Sequence, residues 1–219
     1  VARACRHFSI SRRAFYQAGH RHQRRDAADS TALALVSDCR ARQPRLGTRK
    51  LHHLIEPKLQ AAGRVADITY LPTDGNIVYL SLVTDVWSRK IVGWSVNETL
   101  QTEHTAQALE MALKWRKTRQ RLIHHSDRGI QYCSDNYQTI HTKHGLTCSM
   151  TDGYDCYQNA LAERINGILK GEFLLRRPRD LGQARQMVAE AVEIYNAERP
   201  HLPLKMQTPD AVHRASLAA

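Results

Sequence analysis

The chain has no CxxC pair and an odd number of cysteines: Cys5, Cys39, Cys133, Cys148 and Cys156. That speaks against a disulfide framework and against a cysteine-built zinc site. Reduced thiols, as in a cytoplasmic protein, are the expectation. No apolar run reaches membrane-span length, and the N-terminus has no apolar signal region, so neither a span nor export is predicted. Internal repeats and low-complexity tracts are absent as well. The first residue is Val1 rather than Met, which reads as a non-standard start codon or a fragment.

Acidic residues are also scarce. Lys and Arg number 32 against 21 Asp and Glu, a formal net charge of +11 with a pI near 9.7. Such a balance favours an anionic partner, most simply nucleic acid. Residues 1–25 contain seven arginines and no acidic residue. They read as a helix-turn-helix remnant with Arg12 and Arg13 turned toward phosphates, or equally as a basic arm. Residues 26–62 read as a small helical domain. Its first helix is capped by Asp29 or Ser30, with Leu33, Val36 and Cys39 on one face. Its second carries Leu51, Leu54 and Ile55, up to Pro57.

From residue 63 the pattern turns to α/β. Strands are predicted at about 65–71, 77–85 and 90–96, with Asp74-Gly75-Asn76 as a hairpin turn. A helix is expected from Thr102 to about Lys117, a strand at 121–125, a helix at 135–144 and a strand at 146–150. Residues 151–155 read as a loop before another helix, which Gln158 or Asn159 would cap. One further long helix, about Leu181 to Ala197, closes the pattern. Hairpins first and crossovers later imply a mixed sheet. The divisions are 1–25, 26–62, a core at 63–170 and a helical extension at 171–219.

Three carboxylates stand out. Asp67 lies inside a β-rich run, where aspartate is uncommon. Asp127 follows a short apolar strand, and Glu163 sits on a helix off its apolar stripe. Such a set suits two divalent cations, because hard ions take oxygen ligands. Taken singly, each also has a plain reading: a strand-edge aspartate, a turn aspartate and a solvated glutamate. Asp85 is a rival that reads as structural. Lys170 and Arg164 flank Glu163 and suit phosphate contacts. Tyr154, Tyr157 and Gln158 could meet a DNA end. His124 and His125 read as structural or phosphate-contacting. His141 and His144 have ligand-like spacing without cysteine partners, and no zinc is expected.

The runs DITYLP, SRKIVGWS, HHSDRGIQY, NALAERINGILK and YNAERPHLPLKMQTPDAV resemble the integrase-like DDE transposases of bacterial insertion sequences, relatives of retroviral integrases. Between Asp127 and Glu163 lie 35 residues, the spacing of that family's D-D-35-E signature. Lys170 matches the lysine seven residues after the family's glutamate. The resemblance implies a ribonuclease-H-like fold, with Asp67, Asp127 and Glu163 as catalytic residues holding two Mg2+ (or Mn2+) ions. It implies 3′-end cleavage and strand transfer on DNA, both element ends and target. A homo-oligomer on DNA and a companion reading frame are implied too.

One departure is visible. Family members have a longer segment, with an apolar lead-in and a tryptophan, before the first aspartate. Here Ala61-Ala62-Gly63-Arg64 runs almost directly into it. An internal deletion that clips the first strand is the expectation. The alternative function is therefore a catalytically impaired remnant that only binds DNA.

Overall fold

The computed structural model describes residues 37–43, 63–114, 116, 122–151 and 159–218. Arg12, Arg13, the second N-terminal helix and residues 152–158 lie outside the described residues. The chain divides into two units, Val1–Leu59 and Gln60–Ala219. In the first, residues 37–42 are helical and Cys39 is buried.

The second unit is built on five strands: β1 (Gly63–Pro72), β2 (Ile77–Asp85), β3 (Ile91–Asn97), β4 (Leu122–Ser126) and β5 (Leu146–Met150). Their order is β3-β2-β1-β4-β5, with β1, β2 and β3 antiparallel and the β1–β4 and β4–β5 pairs parallel. The parallel pairs require crossovers. The helices α1 (Thr102–Lys114), α2 (Ile130–Cys133) and α3 (Asp135–His144) supply them. The first of these stops short of the expected Lys117. Ser134 caps α3 by accepting from the Tyr137 N–H, and Gly145 closes it at φ 62°, the left-handed position that glycine takes without strain.

After β5 come α4 (Ala160–Ile168), continued by a π turn (Leu169–Phe173), then α5 (Leu181–Ala197) and α6 (Pro209–Ala218). Each face of the sheet has its own core. Leu71, Leu80 and Leu82 pack with Ile165 and Leu169 of the α4 segment and Val188 and Tyr195 of α5. On the other face Ala66 and Val83 pack with α1, Tyr132, Tyr137 and Ile140. Each fully buried aliphatic side chain contributes about 1.5–3 kcal/mol.

The tail is tied to the sheet by specific bonds. Asn196 donates to the Ile91 carbonyl and accepts from the Ile91 N–H, and the Tyr195 hydroxyl donates to the Arg89 carbonyl. Arg199 grips Glu172 with two nitrogens at 2.6 Å each. The YNAERPH run is thus a set of clamps. The short α6 was not expected from the sequence. It docks on the β2–β3 turn, where Asp210 meets Lys90 at 2.7 Å and His213 meets Ser88 at 3.1 Å.

The expectation of a clipped first strand is overturned. β1 spans ten residues and pairs with β2 along nine of them. Gly63 and Arg64 complete it: the Gly63 carbonyl accepts from the Val86 N–H, and Arg64 donates to the Ala112 carbonyl. That carbonyl belongs to the last turn of α1, where acceptors lack partners and a cation is favoured. Burial lowers the Arg64 pKa to about 10.

His124, Arg64's partner across the β1–β4 ladder, is also buried. It meets the Tyr137 hydroxyl at 2.8 Å and the His141 ring at 5.2 Å. Burial first, then the charges of His141, Arg64 and His125, hold His124 well below its ordinary pKa. The imidazole therefore stays neutral in the fold and charges in the unfolded chain. Its contribution is complete above about pH 6.5 and is lost as the pH falls. Urea titrations are expected to show His124 pulling stability down by up to ~1.4 kcal/mol per pH unit below pH 6.5. The His124→Gln variant is expected to lose that slope; an unchanged slope refutes the assignment.

Candidate active site

The β1–β4 ladder runs only from Gly63↔Ile123 to Val65↔His125. Continued two residues on both strands, its register sets Asp67 level with Asp127. Period-two alternation then directs both toward the same face. It is the face of Leu71, which α4 covers. The first catalytic candidate thus lies in the middle of β1, the second just past the end of β4, and the third, Glu163, on the helix above them.

Local bonds fix the two aspartates. Asp67 Oδ1 accepts from the Ile68 N–H at 2.9 Å, and Oδ2 accepts from Asn166 Nδ2 at 2.8 Å. Asp127 Oδ1 accepts from the Gly129 N–H at 2.8 Å. A Cβ on Gly129 would stand 3.0 Å from that oxygen, so the close approach of backbone to carboxylate suits glycine. Burial raises the Asp67 pKa to about 6. The bonds from Ile68 and Asn166 oppose the rise, and the charges of Asp127 and Glu163 add to it. That coupling places all three acids in one electrostatic neighbourhood.

The donor set is oxygen only, which fits a hard divalent cation. Among the described residues, no three His, Cys, Asp or Glu side chains already stand close enough to hold an ion.

Lys170 joins this group. Its Nζ donates to Thr69 Oγ1 at 3.3 Å and sits 4.7 Å from the centroid of the Tyr70 ring. It lies in the π turn that extends α4, a helical irregularity frequent at functional sites. Arg164 is not brought in with it. Arg164 is exposed, and its charge acts on Tyr195 and His201, on the α5 side of the helix. Arg12, Arg13, Tyr154, Tyr157 and Gln158 lie outside the described residues.

The other candidates have structural roles. Asp85 accepts from the Ser88 N–H and hydroxyl in the β2–β3 turn. Burial alone would raise its pKa, but bonds from His213 and Ser88 hold it below the usual range. His125 meets Ser149 at 2.9 Å. Asn159 holds the N-cap position of α4 without making a side-chain cap bond. Instead its amide donates to the Ala66 carbonyl. Asn166 is the residue that sequence reading passed over. Its only signal was its place one turn after Glu163.

Comparison with known proteins agrees with this architecture. Two sequence models of the integrase core domain match, over residues 62–156 and 144–209. The 31 kDa protein of insertion element IS600 from Shigella sonnei is 40% identical over 149 residues, covering 67% of this chain and 55% of that protein. Transposase InsF for insertion sequence IS3A of Escherichia coli K12 is 42% identical over 125 residues, covering 55% of this chain and 43% of the transposase. The chain thus spans about half the length of these curated relatives.

Among solved structures, the HTLV-2 integrase catalytic core domain in complex with magnesium superposes with a TM-score of 0.56 at 19% identity. It covers 70% of this chain and 96% of that one. The BIV integrase catalytic core gives 0.55 at 15% identity, over 72% and 97%. These likenesses carry the fold, ribonuclease-H-like as expected. With the two integrase core domain models together spanning residues 62–209, the chain carries an integrase core domain and is similar to insertion-sequence transposases.

Proposed function

We propose that the protein is a DDE-type transposase that cleaves the 3′ ends of an insertion sequence and transfers them to target DNA. What supports this reading is the β1–β4 register, which continued two residues would bring Asp67 level with Asp127, together with the charges of Asp127 and Glu163 acting on Asp67, in a chain matched by integrase core models. Asp67, Asp127 and Glu163 would hold two magnesium or manganese ions. Bound there, the ions supply activation of the attacking oxygen and stabilisation of the leaving one.

The chain's own residues do the rest. Burial and the Asn166 bond keep the Asp67 carboxylate in one orientation. Lys170, held by Thr69 and Tyr70 beside β1, offers its ammonium to a phosphate near the scissile bond. Arg164, Arg12 and Arg13 extend the contact with DNA through charge alone. No protein nucleophile is needed. Handling two ends together calls for a homo-oligomer on DNA, and a companion reading frame would add end recognition. The intact β1 favours an active enzyme over a remnant that only binds DNA.

The test is a joining assay on a duplex carrying the flanking inverted repeat, with magnesium or manganese. Loss of outer-shell partners alone costs about 10–100-fold, so Glu163→Gln is expected to cost more than ~100-fold in joined product. DNA affinity should be unchanged. Metal-independent binding with no cleavage by the wild type would instead establish the remnant reading.

A further inference from the structure

Asn159, Glu163 and Asn166 stand at i, i+4 and i+7, one stripe of α4. Lys170 follows at i+11 in the π turn. The neutral and cationic members of that stripe reach Ala66, Asp67 and Thr69 of β1 in order. Asn159 donates to the Ala66 carbonyl at 3.4 Å, longer than an ordinary N–H···O bond. Asn166 donates to Asp67 Oδ2 at 2.8 Å, and Lys170 to Thr69 Oγ1 at 3.3 Å. These contacts begin where the β1–β4 ladder ends, one residue after Val65.

Three features mark this stripe as more than packing. Both asparagines are buried, 5% exposed each. Asn159 occupies an N-cap position, where its side chain would ordinarily satisfy its own helix, yet makes no cap bond. Each asparagine also keeps a buried Oδ1 with no hydrogen-bond partner among the described residues. A half-satisfied buried amide is worse for stability than an apolar side chain of similar size. Stability alone does not explain two of them on one stripe.

We infer that Asn166, supported by Asn159, is a positioning residue that locks the register of α4 along β1 and thereby sets Glu163 over the two aspartates. The inference rests on the proposed function in counting Glu163 among the metal-holding acids. The lock itself is a statement about α4 and β1 and is testable without metal. Asn166 acts through Asp67 and through its own helix.

The experiment uses the full chain with Asn166→Leu, which keeps the volume and removes the amide. Asn166→Gln keeps the amide one methylene too far out. In metal-free protein, amide hydrogen exchange across residues 160–168 is expected to quicken about tenfold or more in both variants, with thermal midpoints within a few degrees of wild type. Mn2+ affinity, read by electron paramagnetic resonance, is expected to weaken about 10–100-fold. Joining at saturating DNA should slow by a similar factor while DNA affinity holds. Wild-type exchange in α4 of Asn166→Leu, with Mn2+ affinity within twofold, overturns the lock. If Glu163→Gln leaves Mn2+ binding of the wild type intact, the metal reading fails instead. The exchange result then decides the lock by itself.

Discussion

Gly93→Ala is expected to abolish the native fold at 37 °C or to lower its stability by about 3–5 kcal/mol. Gly93 lies in β3, directly under α1. A Cβ there would stand 2.0 Å from the Ala108 carbonyl oxygen, 2.8 Å from the Ala112 nitrogen and 2.9 Å from the Ala112 Cβ. No flexible side chain can swing away, because the clashing atoms are helix backbone and one Cβ. Relief requires α1 to lift from the sheet, opening space around Ala108, Leu109, Ala112 and Leu113, which are 0–7% exposed. Against a total stability of roughly 5–15 kcal/mol, that loss is a large fraction. Gly75→Ala is the control, since nothing lies within 4 Å of the added atom. Urea unfolding followed by circular dichroism checks both. A Gly93→Ala midpoint within ~1 kcal/mol of wild type would show that the β3–α1 contact is looser than described.

That contact was invisible in the sequence, and the reason is general to what was and was not legible. The limits of α3, β5 and α5 followed from local signals. A helical or alternating stripe lies between punctuating residues, Ser134 and Gly145 for one helix and Asp180 for the other. The start of β1 was misread because Gly63 and Arg64 look like a polar linker. What makes them strand is distant: Val86 donating to one and Ala112 accepting from the other. The helix α6 escaped notice for the same reason. Its anchors are Lys90 and Ser88 in a turn more than a hundred residues earlier.

The acids stood out because their spacing matches a motif, and the β1–β4 register, continued two residues, brings two of them level. Their supports did not stand out. Asn166 is an ordinary polar helix residue until β1 is laid against it. Arg164 was read with Lys170 as a phosphate contact because it flanks Glu163. Neighbours on a helix point about 100° apart, and Arg164 acts on the α5 side instead.

Asp67→Asn is expected to lose joining activity and yet, in EDTA at pH 7, to unfold later than wild type. The carboxyl that would hold metal is a strain on the metal-free fold. Its pKa is about 6 in the native state, against about 3.9 unfolded. Between these values the native state binds more protons, so stability falls as the pH rises. Above about pH 6 the full penalty, ~3 kcal/mol, is in place. Asparagine removes it but cannot accept from both Ile68 and Asn166, at a cost of about 1 kcal/mol.

The net at pH 7 is a gain of ~1–2 kcal/mol, or roughly 2–8 °C for a unit of this size. Near pH 4 native Asp67 is almost fully protonated and its penalty has fallen to ~0.5 kcal/mol, so the order reverses by about 0.5 kcal/mol. The two stability curves should therefore cross near pH 5. The crossing also separates Asp67 from His124, whose contribution has the opposite sign: buried neutral, it loses stability as the pH falls. In wild type the two partly cancel below pH 6.5, whereas Asp67→Asn leaves the histidine unopposed and steepens the acid limb. Divalent metal should then raise the wild-type midpoint and leave that of the variant almost unmoved. Urea midpoints from pH 4 to 8, with and without Mg2+, test all of this together. A variant that melts below wild type at every pH would mean that Asp67 is comfortable in the metal-free fold, and the case for an acid cluster awaiting a cation would fail with it.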